Sequence, residues 1–341
     1  MKRYDVVISG FGSVGRQVAR LLHERKERYR MVYDADVRLV GVMRSTAGCY
    51  ADEGLALEQV QAFSAEKSMG DKKKTGADFL AACPFDILIE AGPSDIVTGG
   101  MALSYMRTAL SRGKHVIAIS KGALIADYQG LHEAARRHGA MLKVSGATAA
   151  ALPTVDLLQF NLAGCEVALI EGIFTGTANF VLSAMMEEGI SMEEAIIRAQ
   201  QMGIAEPDPR FDLEGWDTAC KLTIMANAAF HAGIRLSDVA RKGIQGITPE
   251  LVQKWKADGL VPKLVGSLRK VDDTLQAAVD VQLLSETHPF AQVRGTTKAI
   301  RLETDTMGEL LVVGGKSDPV AAAAAALKDL EHILQANRAK G

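Results

Sequence analysis

The chain has 341 residues, 48% hydrophobic and 23% charged, with a formal net charge of −2. That length accommodates two domains with ample cores, and the near-neutral balance supplies no basic footprint for nucleic acid. No apolar run approaches the roughly 18–20 residues of a membrane span, so neither nucleic acid nor a membrane is an expected partner. The N-terminal MKRYDVVISG reads as a strand start rather than a signal peptide. Cys49, Cys83, Cys165 and Cys220 are scattered without a CxxC spacing, which points to reduced thiols in a cytoplasmic protein. The His residues are isolated as well, so no transition-metal site is expected.

Tyr4 to Ser9 is a short apolar strand, followed at once by Gly10-Phe11-Gly12-Ser13-Val14-Gly15 and a helix with Val14, Val18, Leu21 and Leu22 on one face. A GxGxxG between strand and helix is the context that dinucleotide binding requires. The first glycine permits the tight turn, the second lets a pyrophosphate approach the backbone, and the third lets helix and strand pack closely. Gly10, Phe11, Gly12, Ser13, Val14 and Gly15 are therefore the expected cofactor loop. Val37 to Met43 is the second strand and ends in Arg44-Ser45-Thr46, where an NAD-preferring site carries Asp or Glu. Arg44 could pair with a 2′-phosphate, so NADP is the expected cofactor, with NAD as the alternative. Lys72, Lys73 and Lys74 read as a solvated loop rather than a phosphate clamp. Phe85 to Ala91 is a buried strand ending in Gly92-Pro93-Ser94-Asp95. Helix 99–112 and strand His115 to Ile119 follow, ending in Ser120-Lys121-Gly122. Ligands sit at the carboxyl ends of parallel strands, which places Lys121 to meet nicotinamide or substrate; a solvated loop lysine is the plain alternative.

Helix 128–138 and strand Met141 to Val144 lead to the small-residue run Ser145 to Pro153. Glu166 to Phe174 alternates like a strand and delivers Thr175-Gly176-Thr177-Ala178-Asn179 to helix 179–187, a turn that offers backbone donors and hydroxyls. Helix 191–202 stops at Gly203. The next stretch, through Ala229, begins acidic, with Glu206, Asp208 and Asp212 in a segment that Pro207 and Pro209 keep out of helix. It then becomes a helix that is apolar on nearly every side, with Asp217 and Lys221 four apart on one face. An i,i+4 surface pair is the plain reading; a lysine on a buried helix, paired because burial otherwise penalises it, is the chemical one. A helical segment at 249–258 and strands near 274–285, 296–304 and 308–313 complete the pattern. Asp318 then caps a final helix that Pro319 opens.

These motifs resemble, in order and spacing over nearly the whole chain, those of the homoserine dehydrogenase family: GFGSVG at 10–15, ISKGAL at 119–124, GIFTGTANFVL at 172–182 and GIAEPDPRFDLEGWDTACK at 203–221. The last is long and far more specific than a GxGxxG. The resemblance implies an α/β fold: a Rossmann dinucleotide-binding domain over 1–144, completed by a returning C-terminal helix at 318–341, and an α/β catalytic and dimerisation domain over 145–317. It implies interconversion of L-aspartate 4-semialdehyde and L-homoserine with NAD(P), a small amino-acid substrate and a homodimer. Residue by residue, Lys221 matches the catalytic acid/base and Lys121 a second active-site lysine. Glu206, Asp217 and Asp212 match substrate-binding carboxylates, and Gly176 and Thr177 match the substrate loop. Ser94 and Gly203 match positions lining the nicotinamide end of the cofactor, Lys121 matches one near substrate and nicotinamide, and Ser120 is a further expected cofactor-binding residue.

Three departures stand out. Ser145 occupies about the place of a family Glu that contributes to a monovalent-cation site, which leaves that site in question. Lys298 replaces an Asn, and GGKSD at 314–318, with Lys316, replaces a late glycine-rich segment. They keep open a dehydrogenase acting on a different amino or hydroxy acid. A non-catalytic nucleotide sensor is a further alternative, disfavoured by the retention of both lysines. At this length no C-terminal regulatory domain is expected.

Overall fold

Val6, Val7 and Ile8 are fully buried in strand β1 (Lys2–Ser9), which runs through the centre of the first of two compact units. The computed structural model describes residues 1–63, 76–272 and 274–338; Lys72, Lys73 and Lys74 lie outside the described residues. One unit comprises Met1–Ala150 with Asp318–Gly341, the other Ala151–Ser317.

In the first unit β1 is joined by β2 (Ala35–Met43), β3 (Gly48–Tyr50), β4 (Ile87–Glu90), β5 (His115–Ala118) and β6 (Leu142–Lys143), in the order β3-β2-β1-β4-β5-β6. All pairings are parallel except β2 with β3. Parallel strands covered by helices on both faces read as continuous apolar runs, and this is why β1, β4 and β5 are legible without alternation. Ala323, Ala326, Leu327, Leu330, Ile333 and Leu334 of the C-terminal helix Pro319–Arg338 pack into one core with Val18 and Leu22 of helix Ser13–Glu24 and with β1. Asp318 Oδ1 accepts the N–H of Ala321 at 2.8 Å, the cap the sequence signals.

Three details differ from the sequence expectation. The long connection before β2 contains a helix, Lys26–Tyr33, closed by Asp34 in a left-handed conformation at φ 51°. Asp36 thus lies within β2, bonded to Arg30 at 3.2 Å. Strand β3, three residues long, is too short to show a pattern. Helix Gly122–Arg137 begins six residues before 128, and a break at Asp127 (φ −159°, ψ 66°) explains why the regular spacing starts only beyond it.

The second unit holds β7 (Val167–Ile173), β8 (Ala240–Arg241), β9 (Leu260–Val271), β10 (Thr274–Ser285), β11 (Lys298–Thr304) and β12 (Gly308–Gly314), ordered β12-β11-β7-β9-β10-β8. Only β8 pairs in parallel. Strand β9 escapes the sequence reading because Pro262, Lys263 and Gly266 interrupt its apolar pattern. Each has a structural place. Lys263 is 2% exposed, and its Nζ donates to Asn179 Oδ1 (2.9 Å) and the Val293 carbonyl (2.5 Å). Gly266 admits helix Trp216–Phe230, since a Cβ there would lie 2.6 Å from Thr218 Cγ2. Pro209, expected to exclude helix, instead caps a single turn, Arg210–Leu213, because its fixed φ suits the position just before a helix. Among the described residues no helix is long and apolar enough to cross a membrane.

Candidate active site

In the first unit the site is built at the carboxyl ends of β1, β2, β4 and β5. Gly10 leaves β1 with φ +85° and its N–H donates to Met43 O at 3.0 Å, which sets the glycine turn beside the end of β2. A Cβ on Gly10 would meet Gly92 N at 2.3 Å, and one on Gly15 would meet Gly10 O at 2.3 Å; one on Gly12 would meet nothing within 4 Å. The first and third glycines are thus demanded by packing and the second faces open space. Gly12 caps helix Ser13–Glu24 without a side-chain hydrogen bond, leaving the first N–H groups and the positive end of the helix dipole for an anion. These residues fit the pyrophosphate of a dinucleotide. Phe11 lies in this turn with its side chain turned inward. Its ring is 1% exposed, packs edge-on against Phe63 at 5.7 Å and lies under the Arg16 guanidinium, so it serves the core.

Arg44 follows β2, anchored by its N–H to Ala47 O at 2.7 Å. Its half-buried side chain makes no ion pair among the described residues. At the ends of β4 and β5, Ser94 Oγ accepts the Lys121 N–H at 3.0 Å, so these two expected residues share one corner. Ser120 is 5% exposed, and its hydroxyl donates to Glu90, a buried acid that the sequence analysis did not single out. Ser145 donates its N–H (3.0 Å) and hydroxyl (2.7 Å) to the two oxygens of Asp329 on the C-terminal helix. Burial pushes the Asp329 carboxyl up, opposed chiefly by Lys328.

In the second unit helix Trp216–Phe230 is buried along nearly its whole length, Asp217 included. Lys221 Nζ lies 2.5 Å from Asp217 Oδ2, with the two side chains 12% and 9% exposed, and donates to the Phe174 carbonyl at 2.7 Å. The i,i+4 pair is therefore internal, not a surface decoration. Thr175 Oγ1 donates to the same Asp217 oxygen at 2.9 Å and lies 3.0 Å from Thr218 Oγ1. Phe174 and Thr175 extend β7 into the turn that opens helix Gly176–Glu188, so the strand end and the helix together fix the lysine. A Cβ on Gly176 would lie 3.1 Å from the Thr296 carbonyl oxygen, a tight approach. Thr177 Oγ1 donates to Ile204 O at 3.3 Å, tying this turn to the segment that starts at Gly203 (φ +68°). Glu206, in that segment, is exposed, and Asp212 is half-buried on its short helix. Asp208 pairs with Arg210 at 2.5 Å, which holds its carboxyl below the usual range and marks it as a surface pair. Lys298 is buried at the start of β11 and Lys316 is exposed.

The Phe174 carbonyl, the Thr175 hydroxyl and Glu90 were not picked out from sequence. Thr175 sits in the quoted turn and was within reach, whereas a backbone acceptor has no sequence signature.

Comparison with known proteins covers both units. The model of "Homoserine dehydrogenase, NAD binding domain" matches residues 10–145, and that of "Homoserine dehydrogenase" matches residues 153–330. The chain is 32% identical to the homoserine dehydrogenase of Methanocaldococcus jannaschii over 98% of its own length and 99% of that protein. It is also 32% identical to the NAD(+)-dependent homoserine dehydrogenase of Pseudomonas canavaninivorans, over 98% and 97%. The crystal structure of a homoserine dehydrogenase from Thiobacillus denitrificans superposes with a TM-score of 0.86 at 26% identity, covering 99% of this chain and 75% of that one. A likeness that runs through both units, at this identity and with a glycine turn fit for a dinucleotide, places the chain in the homoserine dehydrogenase family of NAD(P)-dependent oxidoreductases.

Proposed function

We propose that Lys221 is the acid/base of a homoserine dehydrogenase reaction, the interconversion of L-aspartate 4-semialdehyde and L-homoserine, and that Arg44 inclines the enzyme to NADP over NAD. The observation that carries the first part is the buried Lys221–Asp217 pair against the Phe174 carbonyl. An ammonium has three N–H donors; two are directed at Asp217 and Phe174, and the third is left for a substrate oxygen. Nicotinamide, when bound, supplies or accepts the hydride. As the aldehyde is reduced, Lys221 stabilises the developing alkoxide and donates its proton; in oxidation its amine takes the hydroxyl proton. Asp217 orients the lysine and is itself held by Thr175. Gly176 and Thr177 present backbone and hydroxyl groups to the substrate. Glu206 and Asp212 hold its ammonium, and Lys121 adds a second positive charge. Gly12 to Gly15 hold the pyrophosphate, and Ser94, Ser120 and Gly203 line the nicotinamide end.

A homodimer working in the cytoplasm completes this reading. One rival is supported by a specific observation: Ser145, about where the family resemblance implies a Glu, is committed to Asp329, which fits a related amino or hydroxy acid. The deciding experiment follows nicotinamide absorbance with purified protein, offering L-homoserine with NADP and with NAD, then other amino and hydroxy acids. Turnover of homoserine, faster with NADP, supports the proposal. Silence on homoserine with turnover of another acid transfers support to the rival.

A further inference from the structure

Glu90 closes β4 with 1% of its surface exposed, and among the described residues no Lys, Arg or His pairs with it. Burying an acid without a counter-charge is costly unless its oxygens are satisfied by hydrogen bonds. Both are. Oε1 accepts the Gly92 N–H at 2.7 Å and Oε2 accepts the Ser120 hydroxyl. The two donors belong to the segments that follow β4 and β5, on the side of β1 where the strand order reverses. A dinucleotide binds outside the carboxyl ends of an open parallel sheet at that reversal. The Gly10 turn touches Gly92 there, and Ser94 holds the Lys121 N–H.

The consequence is the direction of one hydroxyl. Burial pushes the Glu90 carboxyl up, opposed by the Ser120 and Gly92 hydrogen bonds; once ionised, it has no hydrogen to give, so the Ser120 O–H must point at Glu90. The Ser120 oxygen then has only lone pairs to offer a ligand. We infer that Glu90 is a positioning residue that fixes Ser120 as a hydrogen-bond acceptor for the carboxamide N–H of the nicotinamide cofactor. The inference rests on the nicotinamide-end role proposed for Ser120. A glutamine at position 90 keeps one acceptor, which the neighbouring Gly92 N–H retains. Its amide N–H₂ then faces Ser120 and turns the hydroxyl hydrogen toward the ligand.

The test is calorimetric binding to the full chain at alkaline pH, using whichever of NADP and NAD binds more tightly and its 3-acetylpyridine analogue. The analogue carries a methyl ketone in place of the carboxamide and so has no N–H. Wild type is expected to favour the carboxamide by about five- to tenfold, the worth of one hydrogen bond. Glu90→Gln and Ser120→Ala should each bring that ratio to about one, and the double variant should go no further. A ratio unchanged in either variant overturns the inference. So does equal binding of the two cofactors by wild type, which decides the matter even if a variant fails to fold. Failure of wild type to bind either cofactor overturns the cofactor reading beneath it as well.

Discussion

Replacing Lys221 by Met keeps the side chain's length and volume while removing its ammonium, and so separates what that group does for stability from what it does for turnover. Its Nζ is 2.5 Å from Asp217 Oδ2, and the side chains are 12% and 9% exposed. At an effective dielectric constant of about 20, unit charges at that distance attract by roughly 7 kcal/mol, much of which offsets their desolvation. Removing one partner of such a pair costs about 3–5 kcal/mol because the other stays buried. Thr175 still donates to Asp217 and the methionine fills the lysine stem's place, so the lower end, about 3 kcal/mol, is expected. Adding Asp217→Asn removes the stranded charge and should restore most of that stability. Turnover should fall about 100- to 10,000-fold in Lys221→Met and should not return in the double variant, while cofactor still binds. Urea denaturation gives the stabilities and steady-state kinetics gives the rates. Turnover of Lys221→Met within a few-fold of wild type would refute the acid/base assignment. Recovery of both stability and rate in the double variant would show that the lysine's role is structural.

The other predictions concern the cofactor turn, the cofactor's phosphate and a second buried lysine. Arg44→Asp should shift the ratio of kcat/KM for NADP over NAD toward NAD by about tenfold or more, through loss of a charge-assisted bond and gain of repulsion; an unchanged ratio removes the case for NADP. Gly10→Ala should destabilise the fold by about 1–3 kcal/mol and abolish cofactor binding, because φ is +85° and the new Cβ would lie 2.3 Å from Gly92 N; a variant of wild-type melting temperature would contradict the close approach. Burial, with Arg294 nearby, lowers the Lys263 ammonium from 10.5 to about 8. Between those values the unfolded chain binds more protons than the folded one, so this group makes stability rise with pH across that window. The gain is on the order of 3 kcal/mol, measured by denaturation of wild type against Lys263→Met; parallel pH profiles would show that Lys263 does not titrate there.

The amino-acid order by itself determined the local elements and the family. The apolar runs of β1, β4 and β5 and the glycines at 10, 12 and 15 are short-range signals, set by sterics and burial within a few residues. So is the Asp318-Pro319 helix start. The i,i+4 placement of Asp217 and Lys221 was equally legible, because helical periodicity alone puts them on one face. Whether that face is buried was not, since burial depends on β7, β9 and the turn at Thr175, which are remote in sequence. The tertiary structure alone decided that Phe174's carbonyl receives the lysine. It alone brought Asp329 to Ser145 across 184 residues and aimed the Ser120 hydroxyl at Glu90. It also turned Phe11 into the core and made a strand of 260–271 despite Pro262 and Lys263. In each case the deciding energy is the need of a buried polar or bulky group to find a partner, and that partner is supplied by a chain segment whose position no local pattern encodes.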